Sequence, residues 1–177
     1  MVGGAGRGQE VVVGRSWYPY GVYSEAVNAF SATRPGSWLV AHVAARVDPV
    51  LFRWSRGRVT VTGVPTLPML VLTTTGRRSG VPRAVQLAHV AEPGDRWLVV
   101  ASAMGRHRHP DWLLNLRADP RATVLLPGGR EVAVAAVELG PDERATRWPE
   151  IERRIPQMRT YVRRTGRDLP VVRLAAR

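Results

Sequence analysis

Two stretches of this chain gather side chains with chemical potential. The first runs from Thr73 to Arg83 (TTTGRRSGVPR). Arg77, Arg78 and Arg83 bring three guanidiniums to one bend, and Ser79 adds a hydroxyl. Gly76 and Gly80 free the backbone there. Such a bend can cradle an anion, because backbone N–H groups and guanidinium forks both match phosphate oxygens. The same residues would also serve as a solvated hairpin turn. The bend is no Walker loop, since the Lys and its spacing are absent. No GxGxxG opens a helix after a strand, so a nicotinamide Rossmann site is not expected.

The second stretch is Ser102 to Leu116 (SAMGRHRHPDWLLNL). His107, His109 and Asp111 suggest a metal, but the histidines sit two apart on a loop with no third nitrogen ligand nearby. The plainer reading is that His109 orders the loop and His107 is exposed, and no metal site is expected. On the helix that follows, Trp112, Asn115 and Leu116 share a face. A Trp beside an amide at a helix start either lines a ring-shaped ligand or packs in a core. Ser79 and Ser102 lack any G-x-S-x-G setting, and none of the 14 acidic residues forms a paired catalytic carboxylate. An enzyme built from these groups needs a cofactor to carry the chemistry, with the protein supplying binding and orientation.

The elements that must position these groups follow from periodicity. Residues 1–37 read as a Gly-rich, then aromatic arm, with a short helix near Ser24 to Ala32. Trp38 to Trp54 is predicted as a helix with one apolar stripe (Leu39, Val43, Val47, Val50, Leu51, Trp54), kinked at Pro49. From Val59 the period becomes two. Strands are predicted at Val59–Thr62, Pro68–Thr75, Arg83–Ala91 and Arg96–Ser102, with turns at Gly76–Gly80 and Pro93-Gly94-Asp95. In the third of these, Val85, Leu87 and His89 take one face and Ala84, Gln86, Ala88 and Val90 the other. A helix opens at Pro110 and ends near Asp119. Ala122–Leu126 and Arg130–Leu139 form a hairpin, Asp142 to Tyr161 is helical with a break at Pro156, and Leu169–Leu174 is a last strand. Hairpin-linked strands favour a small barrel or roll over a parallel sheet.

Bulk properties bound the function. The chain has 177 residues, 45% apolar and 23% charged, which suits one globular domain. Without cysteine it has no disulfide framework or thiolate chemistry, which fits a reducing cytoplasm. No stretch resembles a signal peptide or reaches the ~18 apolar residues of a membrane span. The net charge is +12 and every basic residue is Arg. That excess concentrates anions: nucleic acid, an acidic membrane surface or a phosphorylated cofactor. The arginines are spread along the chain, which weakens the nucleic-acid reading.

At TTTGRRSGVPR, VVASAMG, HPDWLLNLRADPRATV and IPQMRTYVRRTGRDLPVVRL, the chain resembles the deazaflavin-dependent nitroreductase family. The likeness runs from about Val59 to Leu174. It implies an α+β fold: a small antiparallel split β-barrel with flanking helices and an N-terminal helical extension, the domain spanning residues 38–177. The barrel is related to flavin-binding pyridoxamine-phosphate-oxidase folds.

The resemblance also implies coenzyme F420 as cofactor, with FMN the runner-up. Arg77, Arg78, Ser79 and Arg83 would hold the phosphate and anionic tail, and Arg78 stands where Lys is common. Ala84, Val85 and Gln86, with Val100, Ala101, Ser102 and Ala103, would wall the deazaflavin ring. Asp111, Trp112, Leu113, Leu114 and Asn115 would close the site. Ser102 and Tyr161 are the implied catalytic hydroxyls, and Ala88, Met158 and Tyr161 the acceptor-side residues. Met158 occupies a position where relatives often present tyrosine, Gln86 one where Pro is frequent, and Ala88 one that can carry Tyr. The implied activity is hydride transfer from reduced F420 to a quinone, activated alkene or nitro compound. Two other classes stay open at this point: a non-catalytic F420 or FMN carrier, and a basic nucleic-acid or membrane-surface protein. A cytoplasmic setting with peripheral membrane contact is the expected location, and the oligomeric state is open.

Overall fold

A computed structural model describes residues 67–177 and, ahead of them, Val47, Val50, Leu51 and residues 53–55. Of the early helix, Val47, Val50, Leu51, Arg53 and Trp54 are helical, and the Arg53 guanidinium meets Glu131 at 2.7 Å. The arm over 1–37, the helix near Ser24, the kink at Pro49 and the strand at Val59–Thr62 lie outside the described residues.

Six strands close into a barrel: β1 Met69–Thr75, β2 Pro82–Glu92, β3 Arg96–Val100, β4 Arg121–Leu125, β5 Glu131–Glu138 and β6 Val171–Ala176. Their order around the barrel is β1-β2-β3-β6-β5-β4, and every neighbouring pair is antiparallel. Within residues 67–177 three α-helices join the barrel: α1 Asp111–Ala118, α2 Pro141–Arg154 and α3 Gln157–Thr165. β3 stops two residues short of the predicted Ser102, because the chain turns away at Ala101.

Alternation along the strands builds two cores. The inward face carries Leu70 and Leu72 of β1, Val85 and Leu87 of β2, Trp97 and Val99 of β3, Val124, Val134, Val172 and Leu174. Trp112, Leu113 and Leu116 of α1 join this set, so α1 packs onto the barrel interior. The outward face of β2, β3 and β6 offers Val90, Leu98, Val100 and Val171, which Ile151 of α2, Ile155 of the α2–α3 link and Met158 of α3 cover. Burying such side chains contributes about 1.5–3 kcal/mol each, which fixes α2 and α3 against the sheet. The α2–α3 break falls at Ile155-Pro156, where the residue before Pro is pushed out of the helical region. Gly166 stops α3 in a left-handed cap at φ 62°.

The topology settles where the functional stretches meet. Thr75 pairs with Pro82, Val100 with Val171, and Val172 with Glu138. The β1–β2 turn, the segment from Ala101 to α1 and the α3–β6 link therefore lie at one end of the barrel. The hairpins at 93–95 and 126–130 lie at the other, where Arg130 pairs with Asp95.

Candidate functional site

The Gly76–Gly80 bend is a closed turn. Gly76 N–H donates to Val81 O (3.0 Å), while Ser79 N–H and Gly80 N–H both donate to Gly76 O (3.1 and 2.8 Å). A side chain at Gly76 would stand 2.8 Å from Ser79 Oγ and 3.0 Å from Val81 O, so glycine is required there. Gly80 lies at φ 66°, a conformation that favours glycine. The N–H groups of Gly76, Ser79 and Gly80 are committed within the turn and that of Arg77 to Asn115, so fewer backbone donors face outward than the sequence suggests.

The three arginines of the bend divide by role. Arg77 is tied to α1: its backbone N–H and its Nη1 both donate to Asn115 Oδ1 (3.1 and 3.2 Å), and Nη1 also reaches Asp111 Oδ1 at 3.0 Å. Asn115 in turn donates from Nδ2 to Thr74 Oγ1 at 3.1 Å, and both Asn115 and Thr74 are buried. A buried amide with donor and acceptor both used is a structural lock. Arg78, Ser79 and Arg83 are exposed, and neither Arg78 nor Arg83 is ion-paired among the described residues. Both guanidiniums are open to an external anion.

Of the residues expected to close the site, Asp111 and Asn115 meet the bend, whereas Trp112 and Leu113 pack into the barrel core at 7% and 1% exposure. The packing alternative is therefore the one realised for Trp112. Leu114 is half-buried. Among the expected ring walls, Ala84 is exposed, Val85 and Gln86 are half-buried, and Val100 and Ala101 are buried. Gln86 carries a buried Nε2 without a hydrogen-bond partner, a donor that a ring carbonyl would satisfy.

Ser102 and Ala103 begin a tight turn, Ala103–Gly105, in which Ala103, Met104 and Gly105 all take positive φ. A Cβ on Gly105 would lie 3.4 Å from Tyr161 Cδ1 and 3.0 Å from Arg164 Cδ, so this turn rests directly on α3. Burial raises the Tyr161 pKa above the ordinary phenol value, with Arg164 opposing, so the phenol keeps its proton at neutral pH. Met158 is 5% exposed in the second core, and Ala88 packs against that same cluster. Tyr161 packs against the same cluster, and Ala88 is half-buried. His109 is half-buried beside Arg167, and His107 is exposed. No group of three or more metal-ligating side chains occurs among the described residues.

Sequence reasoning missed three features. Thr74 was legible as an inward position of β1, but its bond to Asn115 depends on where α1 docks. Ala103 and Met104 carry no residue-type signal for left-handed backbone. Arg167 is one of many arginines, and nothing in its neighbours marks it.

The family described as F420H(2)-dependent quinone reductase matches residues 45–175. The match begins earlier than the likeness seen from motifs and takes in the helix before the barrel. An F420H(2)-dependent quinone reductase of Mycobacterium tuberculosis (strain ATCC 25618 / H37Rv) is 34% identical over 148 residues, covering 79% of this chain and 97% of the relative. A solved F420-H2 dependent reductase (FDR-A) superposes with a TM-score of 0.55 at 34% identity, covering 63% of this chain and 99% of that one. A structure described as a domain-swapped dimer gives 0.57 at 32% identity, covering 72% of this chain and 96% of its own. With three quarters of its length matched and the split-barrel architecture in place, the chain belongs to the F420H(2)-dependent quinone reductase family.

Proposed function

We propose that this chain is an F420H2-dependent reductase whose acceptor is a quinone, with the barrel end at Gly76 and Ser102 as its site. The carrying observation is that Arg78 and Arg83, cations without carboxylate partners among the described residues, share that end with the Ser102 and Tyr161 hydroxyls. The donor set fits the cofactor: exposed guanidiniums for an acidic tail, and the unpartnered Gln86 Nε2 beside β1 for a ring. When bound, reduced F420 supplies the hydride.

The residues of the chain do the rest. Arg78, Arg83 and Ser79 hold the anionic tail by charge-assisted hydrogen bonds. Asn115 and Asp111 take Arg77 out of that task and instead use it to fix the bend to α1. Gln86, on the face of β2 opposite Val85, and the Val100–Ala103 segment flank the ring, with Val85 supporting the strand from the barrel interior. Ser102 and Tyr161 hold protons beside the acceptor, and the raised Tyr161 pKa keeps that donor loaded as charge develops on a quinone oxygen. Alignment of donor and acceptor supplies most of the rate.

A peripheral contact with an acidic membrane surface belongs to the same reading. Arg153, Arg154, Arg163 and Arg164 are exposed on α2 and α3, and Arg164 donates to the backbone of the exposed Met104. No described helix is long and apolar enough to cross a membrane.

Fluorescence titration with F420 and FMN in parallel tests the cofactor. F420 is expected to bind more tightly, because its longer acidic tail engages more guanidiniums. Equal or tighter FMN binding would sink this choice.

A further inference from the structure

The segment between β3 and α1 carries Ser102 on a strained turn. Ala103 and Met104 lie at φ 47° and 54°, where a Cβ crowds the following carbonyl, and only Gly105 (φ 78°) tolerates the conformation freely. The turn's own closure is slight: Gly105 N–H on Ser102 O at 2.9 Å and Arg106 N–H on Ala103 O at 3.2 Å. Strained backbone persists only where its surroundings over-determine it.

One side chain dominates those surroundings. Arg167, in the α3–β6 link, donates from Nη2 to Ala101 O (3.1 Å), Ser102 O (3.3 Å) and Arg108 O (3.4 Å). Its Nε donates to Arg106 O at 3.2 Å, and Nη1 faces His109 Nδ1 at 3.3 Å and Asp168 O at 3.4 Å. Five of these six acceptors belong to the segment 101–109, so one guanidinium gathers the loop from its first residue to its last. A lysine could not do this, because a single ammonium has no planar fork to span separated carbonyls.

We propose that Arg167 is a positioning residue for the acceptor side of the site. It holds the left-handed turn that sets Ser102, and through Gly105 it seats that turn on Tyr161. This rests on the reading that Ser102 and Tyr161 serve the acceptor. Arg167 touches neither reactant, and its effect passes through the loop.

The test uses the full chain with Arg167→Ala and Arg167→Lys. F420 affinity is followed by fluorescence, and the hydride step by single-turnover oxidation of reduced F420 with a soluble benzoquinone. Exchange of the Gly105 and Arg106 amides reports on the turn. The expected result is a hydride step slower by about 10–100-fold in both variants, a smaller loss of F420 affinity because the same segment flanks the ring, and faster exchange at those two amides. Guanidinium ion added at millimolar levels should restore part of the alanine variant's rate and leave wild type unaltered, which a general folding lesion would not do. If the alanine variant fails to fold, the lysine variant decides. An unchanged hydride rate with an active wild type would overturn the proposal alone, as would a loss without guanidinium rescue and without faster turn exchange. A wild-type protein that neither binds F420 nor reduces the quinone would overturn the functional reading beneath it.

Discussion

Single side chains divide the site into binding and chemistry, and variants should separate the two. Arg78→Ala and Arg83→Ala each remove a charge-assisted hydrogen bond worth about 1.5–3 kcal/mol, or about one to two decades of F420 affinity. Their rate at saturating cofactor should change little, since the tail lies remote from the reacting carbon. Tyr161→Phe should do the reverse: the ring stays against Gly105, only the proton donor is lost, and turnover falls while affinity holds. Fluorescence titration and single-turnover kinetics on the same three variants check the split, and a Tyr161→Phe that weakens F420 while sparing the hydride step would contradict it. The cluster of arginines was legible in the sequence because three hydrogen-bonding residues share one glycine-bounded bend and Arg83 follows just after it. The division of labour within it was not. Arg77 and Arg78 are adjacent and chemically identical. Only the docking of α1, which brings Asn115 and Asp111 to Arg77, tells them apart. Trp112 was open for a similar reason, since the residues around it do not say which face of the helix meets the barrel.

At the scale of elements, strand alternation was the most readable signal. Val85, Leu87 and His89 were expected on one face of β2, and that face is the barrel interior. The pattern could not say what an inward histidine costs. His89 is 7% exposed, its Nδ1 has no partner, and burial lowers its pKa from 6.5 to about 4. Between those values the unfolded chain binds the proton and the folded chain does not, so stability is full above pH 6.5 and falls as pH drops toward 4. At about 1.4 kcal/mol per pH unit, the loss is about 3 kcal/mol. Denaturant unfolding of wild type and His89→Leu across this range checks it: the slope should be present in the first and flattened in the second. A parallel slope in both would assign the acid sensitivity elsewhere. Glu92 acts at lower pH, because the hydrogen bond from Arg173 (2.6 Å) holds its carboxyl below the usual range, and Arg173 in turn binds Glu143 of α2. That pairing joins β2 and β6 to α2 across long sequence separations, which is why local pattern could not reveal it. The turn at Ala103–Met104 was equally hidden: its conformation is imposed by Arg167 and α3, not by its own residue types.

The whole molecule combines a closed barrel, a helical layer on one outer face and a net charge of +12. The charge raises the local concentration of any acidic ligand, and it acts at long range only at low salt. Sedimentation with vesicles should therefore show binding to phosphatidylserine-containing membranes that is lost at high salt, and no binding to neutral ones. Binding that ignores both lipid charge and salt would remove the membrane reading. Fold class and cofactor class were both legible from ordered motifs spread over much of the chain. Acceptor identity was not, because in the proposed site it depends on how α3 meets the strained turn, a contact between segments distant in sequence. There Met158 is turned into the core, so Tyr161 is left as the phenol of that helix face, a sparse donor set for a nitro group and a sufficient one for a quinone oxygen. The central claim, hydride transfer from reduced F420 to a quinone, is tested most directly by stopped-flow oxidation of reduced F420 against a panel of quinones, cyclic enones and nitroaromatics. Quinones should reoxidise the cofactor rapidly in a single turnover, with nitroaromatics well behind. No reoxidation by any quinone, or nitroaromatics ahead by a wide margin, would contradict the claim.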